Sequence, residues 1–148
     1  MNARKFFTEQ DQLAIKNAIV QAEKGTSGEI RVHIEDTFSG DVLDQASFIF
    51  KKLKMHETEQ RNGVLFYLAI KNRKFAIIGD AGINAKVPEG FWDLIKETMA
   101  GHFRNNRFTE GLVEGIKQAG EKLIEHFPYL KNDINEINEL SDEISFGK

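Results

Sequence analysis

Cysteine is absent from the 148 residues. Disulfides, thiolate catalysis, zinc–thiolate sites and iron–sulfur clusters are excluded with it. Proline occurs only at Pro88 and Pro128, and no internal repeat or low-complexity segment is present. No apolar run approaches the ~20 residues that span a bilayer, so no membrane partner is expected. Met1-Asn2-Ala3-Arg4-Lys5-Phe6-Phe7 opens with positive charge, but no apolar stretch of roughly 7–15 residues follows, as a signal peptide requires. A cytoplasmic location is the expectation.

Charge of one sign is also scarce. The net charge is −3, and residues 131–148 carry all of it: Lys131 and Lys148 stand against Asp133, Glu136, Glu139, Asp142 and Glu143. The rest of the chain is balanced. Duplex binding needs a basic face that displaces counterions, so no nucleic-acid partner is expected. What is present is ordinary globular composition, 41% hydrophobic and 29% charged. A chain of this length can hide about 68–70% of its unfolded surface and hold a core unaided. One domain over residues 1–130 is expected, with 131–148 as an acidic amphipathic helix or tail.

Residues 8–24 read as a helix, with Thr8 and Asp11 spaced as a capping box and Leu13, Ile15, Ala18, Ile19 and Ala22 as its stripe. Glu29 to Glu35 alternates strictly, Ile30, Val32 and Ile34 on one side and charged or imidazole groups on the other. That predicts a half-buried strand near a sheet edge. Asp41 to Lys54 reads as a second helix. Val64 to Ile70 is apolar on both faces, as in a central strand, and Lys74 to Ile78 returns from it as a hairpin. Pro88 predicts the start of a helix running to about Phe103. Thr109 is placed to cap a helix ending near His126, which contains Gly111, Gly115 and Gly120. Each glycine costs up to about 1 kcal/mol in a helix interior, so close helix packing is expected there. The tail, with Ile134, Ile137, Leu140 and Ile144 at helical spacing, predicts a short helix. The fold class is therefore α/β, a small mixed sheet of three to four strands sandwiched by helices, in the order α-β-α-β-β-α-α(-α). The crossover between the first two strands should be parallel.

Most catalytic signatures fail. There is no phosphate loop and no Gly-x-Ser-x-Gly elbow. The four histidines, His33, His56, His102 and His126, fall in four different elements, without the convergence zinc requires. His102 and His126 suit helix C-termini, where a cation complements the dipole. The phenylalanines fall mostly on apolar stripes and read as core.

The acidic loop is richer. Glu35 to Asp44 gathers Glu35, Asp36, Asp41 and Asp44 with Thr37, Ser39 and loop carbonyls. Hard cations take six to eight such oxygens, and ligands of parallel sheets bind at the strand C-terminal edge. The loop is not an EF-hand, because Phe38 and Gly40 stand where acidic or amide ligands are needed. Helix capping competes: Asp41 suits an N-cap and Asp44 the first turn. The two roles are compatible. Asp80 belongs to a second polar pool, brought by the hairpin to the opposite edge near Thr26, Glu29, Arg61 and Asn62. The competing reading is that it serves only a turn, with Asn84 capping a short helix.

Thr26-Ser27-Gly28-Glu29-Ile30-Arg31-Val32, Ala46 to Phe50, Asn62-Gly63-Val64-Leu65, Ile78-Gly79-Asp80-Ala81-Gly82-Ile83, Phe103 and Phe108-Thr109-Glu110-Gly111-Leu112 together resemble the TPM-domain family of thylakoid-lumen and photosystem II repair proteins and bacterial relatives. The resemblance covers residues 8–128. It implies an α/β sandwich, a loop site for calcium or magnesium, and an acid phosphatase activity that a divalent ion would support. Asp80 matches the family's glycine turn, and Asp36, Asp41 and Asp44 match only as an acidic loop; these four are the metal ligands expected. Arg61 stands where many members have Asp before the strand entry. The function expected is divalent-cation binding with weak metal-dependent phosphatase activity, acting on a phosphoester. The alternative is a non-catalytic module for a protein partner, whose acidic loop only caps helices or is shaped by metal.

Overall fold

The computed structural model describes residues 2–128 and 142–147. A one-turn helix α1, Ala3–Phe6, precedes α2, Glu9–Glu23. The expected capping box opens α2: the Thr8 hydroxyl accepts from Asp11 N at 3.0 Å and the Asp11 carboxylate accepts from Thr8 N at 3.4 Å. Then follow β1 Glu29–Glu35, α3 Val42–Lys52, β2 Gly63–Ala69, β3 Lys74–Gly79, α4 Ala81–Asn84, α5 Phe91–Arg104, α6 Phe108–His126 and β4 Ser145–Phe146.

The sheet order is β3-β2-β1-β4. β1 and β2 are parallel, with Glu29 opposite Gly63 and Glu35 opposite Ala69. β3 returns antiparallel to β2, and β4 lies parallel to β1 with His33 opposite Ser145. On one face Ile30, Val32, Ile34 and Phe66 pack against Ile15 and Ile19 of α2, Ile95 and Met99 of α5, and Ile116 of α6. On the other, Leu65 and Tyr67 pack under Ala46, Ile49 and Phe50 of α3. Helices on both faces of a small mixed sheet make the expected α/β sandwich. A Cβ at Gly120 would lie 2.6 Å from the Ala22 Cβ, so the glycine lets α6 approach α2 at a distance no larger residue permits.

Five local expectations are corrected. β1 is an interior strand: β2 and β4 flank it, and Glu29, His33 and Glu35 on its polar side are buried. The helix foreseen at Pro88 starts at Phe91, because Pro88-Glu89-Gly90 makes a turn closed by Phe91 N to Pro88 O at 3.1 Å, with Gly90 left-handed at φ 80°. Arg107, not Thr109, precedes α6, and it supplies no side-chain cap. Asp80, not Asn84, caps α4; Asn84 instead accepts from Trp92 Nε1 at 2.7 Å and donates to Gly79 O at 2.7 Å. In the tail, residues 145–146 form a strand where the helical spacing ended, and the remainder of that expected helix lies outside the described residues.

Candidate functional site

The loop after β1 is held by its neighbours before any ligand enters. Asn72, in the β2–β3 turn, accepts from Thr37 Oγ1 at 2.8 Å and Phe38 N at 3.2 Å, and donates to Phe38 O at 3.2 Å. Lys71 N donates to Asp36 O at 2.9 Å. One Asp36 carboxylate oxygen accepts from Ala3 N of α1. Asp41 is the N-cap of α3, accepting from Leu43 N at 3.2 Å, and Asp44 is exposed in the first turn. Asp36 and Asp41 thus each use one carboxylate oxygen on the backbone, and the second oxygen of each has no hydrogen-bond partner among the described residues.

Beneath this loop lies a network that the sequence did not single out. The Glu35 carboxylate accepts from Tyr67 OH at 2.6 Å and from Gln45 Nε2 at 3.1 Å. His33 Nε2 lies 3.1 Å from the same carboxylate, and His33 Nδ1 lies 2.8 Å from Ser145 Oγ of β4. Burial pushes the His33 pKa down, against the pull of Glu35, so the ring stays neutral at pH 7. Burial and the Glu35 bond hold the Tyr67 hydroxyl well above its ordinary range. The sequence did carry one signal: Tyr67 sits in a wholly apolar strand, and a buried tyrosine hydroxyl needs a partner. Glu35 lies opposite Ala69 in the parallel register, on the same face as Tyr67 two residues before it.

At the opposite edge Asp80 follows β3, where the hairpin was expected to bring it. Arg61 Nε donates to Asp80 Oδ2 at 2.6 Å and Arg61 Nη2 to Oδ1 at 2.7 Å, while Ala81 N donates to Oδ1 at 2.8 Å. Asp80 is buried, with 6% of its surface exposed. Its pairing with Arg61 is bidentate, the strong form of carboxylate recognition. The guanidinium beside Asp80 has its pKa raised by that hydrogen bond. Asn62 next to it is buried and donates to Ser27 Oγ at 3.2 Å.

Asp36, Asp41 and Asp44 therefore share the C-terminal edge of the parallel strands, and Asp80 stands apart at the other end. Among the described residues no three His, Asp or Glu side chains converge as a preformed metal cage requires. The Asp80 carboxylate, engaged through both oxygens, does not fit as a ligand while Arg61 holds it.

The described helices include none long and apolar enough to cross a membrane. No curated protein matches the chain. Among solved structures, the BA42 protein of the psychrophilic bacterium Bizionia argentinensis is 45% identical, covering 97% of each chain with a TM-score of 0.88. The N-terminal domain of a protein from P. gingivalis is 19% identical over 85% of this chain and 83% of its own, TM-score 0.67. The N-terminal domain of the cg2496 protein from Corynebacterium glutamicum is 14% identical over 80% and 74%, TM-score 0.64. These last two share the fold. The family model described as the TPM domain matches residues 1–122, and with that match the chain belongs to the TPM-domain family.

Proposed function

We propose that this domain binds a divalent cation, calcium or magnesium, weakly at the loop Asp36–Asp44. The observation that carries the reading is the contrast between the two edges. Asp36 and Asp41 each keep an open carboxylate oxygen beside exposed Asp44, whereas Asp80 spends both oxygens on Arg61 and Ala81. Few converging carboxylates make a weak site, so affinity in the range of about 10⁻⁴–10⁻³ M is expected. The ligand set is then Asp36, Asp41 and Asp44, without Asp80. A bound cation would neutralise phosphate oxygens and lower the pKa of water, which is the chemistry a weak phosphatase activity would need.

The test is a calorimetric calcium titration of the wild type and of a combined Asp36→Asn, Asp41→Asn, Asp44→Asn variant. Asparagine keeps the capping acceptors while removing charge, so the fold is preserved. The variant should lose at least about tenfold in affinity, since charged ligands set the strength of calcium sites. Equal affinity would overturn the proposal. Hydrolysis of a small aryl phosphate, lost with chelator and in the same variant, would add the phosphatase step.

A second reading rests on the caps themselves. Asp41 and Asp80 each accept from the backbone of the helix they open, a role complete without metal. A titration with no saturable heat would favour this non-catalytic module for a protein partner.

A further inference from the structure

A cavity of about 610 Å³ is lined by residues of α1, the end of β2, the β2–β3 turn, α5 and the start of α6, and by none of the 36–44 loop. That volume is the size of a small-molecule site, typically about 300–1,000 Å³. Its walls are aromatic. Phe75 of β3 meets Phe103 of α5 edge-on at 4.9 Å between centroids, Phe103 stacks on Phe108 of α6 at 5.3 Å, and Phe108 meets Phe6 of α1 edge-on at 5.2 Å. All four rings are half-buried, so each keeps surface toward the opening.

The rim is positive. Arg73 and Arg104 line the cavity. Both are exposed, and neither forms an ion pair with a described residue. The two rim segments, 71–74 and 104–107, hold Lys71, Arg73, Lys74, Arg104 and Arg107 and not one acidic residue, in a chain whose net charge is −3. Asn106 joins them on the rim. Guanidinium groups match carboxylate and phosphate geometry.

We infer that this cavity binds a small aromatic anion, its ring among the phenylalanines and its carboxylate or phosphate between Arg73 and Arg104. Apolar walls without the arginines would take a neutral ring equally well. Arginines without the walls would take inorganic phosphate equally well. The combination selects a molecule carrying both parts. This inference is independent of the cation site, because no residue of the 36–44 loop lines the cavity.

The experiment is an amide NMR titration in the presence of a chelator, with benzoate, phenyl phosphate, benzyl alcohol and inorganic phosphate as separate probes. At least one aromatic anion should give saturable shifts at residues 70–75 and 103–108. Benzyl alcohol and inorganic phosphate should each bind at least about tenfold more weakly, the scale of one charge-assisted contact. The tighter of the two aromatic anions identifies the headgroup. Arg73→Gln and Arg104→Gln should each weaken binding about tenfold with an unchanged melting temperature, since both side chains are exposed. Absence of saturable shifts, binding of the neutral ring as tight as the anion, or arginine variants with wild-type affinity would overturn the inference.

Discussion

Asp80 takes three hydrogen bonds on two oxygens, and Gly82 two residues on has no room for a side chain. A Cβ at Gly82 would lie 2.1 Å from Gln60 O and 2.6 Å from Arg61 O. The backbone there is pulled close because Gly82 N donates to Arg61 O at 2.7 Å. Gly82→Ala should therefore destabilise by about 1–3 kcal/mol, the usual cost of overpacking. Gly101 in α5 is the opposite case: a Cβ there would meet only Arg104 Nη2, at 3.8 Å. Gly101→Ala should stabilise by up to about 1 kcal/mol. Denaturant unfolding of both variants checks the pair, and a neutral Gly82→Ala would contradict the close approach. Asp80→Ala should cost about 0.5–2 kcal/mol through the lost cap, more than Arg61→Gln, which leaves the cap in place. A larger loss in Arg61→Gln would mean that the ion pair, not the cap, holds this turn. At this scale the sequence was legible where a side chain serves its own neighbours. The Asp41 cap and the Thr8–Asp11 box are both visible as spacing. The Glu35–Tyr67 bond was not, because its partners lie 32 residues apart and meet only through strand register.

β1 shows how an element can be misjudged by its own pattern. Strict alternation reads as one wet face, yet His33 and Glu35 are buried beside Tyr67 and β4. The polar side chains satisfy one another, which is what burial requires of them. The strand that covers them comes from 112 residues further along the chain, beyond any local signal. Its attachment has a testable pH dependence. His33 is held neutral in the folded state, with Glu35, Arg31 and Lys52 as the charges acting on it. The released ring has the ordinary pKa near 6.5, so it binds the proton more readily than the docked ring. Docking stability is then lost as pH falls through about 6.5. The readout is hydrogen exchange at Gly147 N, which donates to Ile34 O at 2.8 Å. In a Glu23→Gln background, which removes the neighbouring carboxyl titration, its protection should fall between about pH 7 and 5. Constant protection would show that His33 does not control β4.

Across the whole molecule, the C-terminal segment ties the two ends of the sandwich together. Lys16 Nζ meets Glu143 Oε1 at 2.5 Å, Arg4 lies over the Phe146 ring at 5.0 Å, and Glu23 shares a hydrogen bond with Asp142. Glu23 also accepts from Ile30 N at 2.7 Å. Burial first, then the Asp142 bond, pushes its carboxyl up to about 10. The folded chain keeps a proton that the unfolded chain releases in the ordinary carboxylate range. Stability therefore falls as pH rises from about 5 toward 9. Glu23→Gln should flatten that decline in thermal unfolding measured across the range, and parallel curves would contradict the assignment. The sandwich itself was legible because the apolar stripes mark the faces turned to the core, and a helix lies between the parallel strands β1 and β2. The site was legible only as composition: the acidic loop stood out, but which carboxylates remain open depends on α1, Arg61 and the β2–β3 turn. Cation binding at the 36–44 loop is tested by calcium titration followed by amide NMR with magnesium as competitor. Saturable shifts at residues 36–44, reversed by magnesium, are the expected result. Shifts centred on residues 61–63 and 79–84, or none at millimolar calcium, would contradict it.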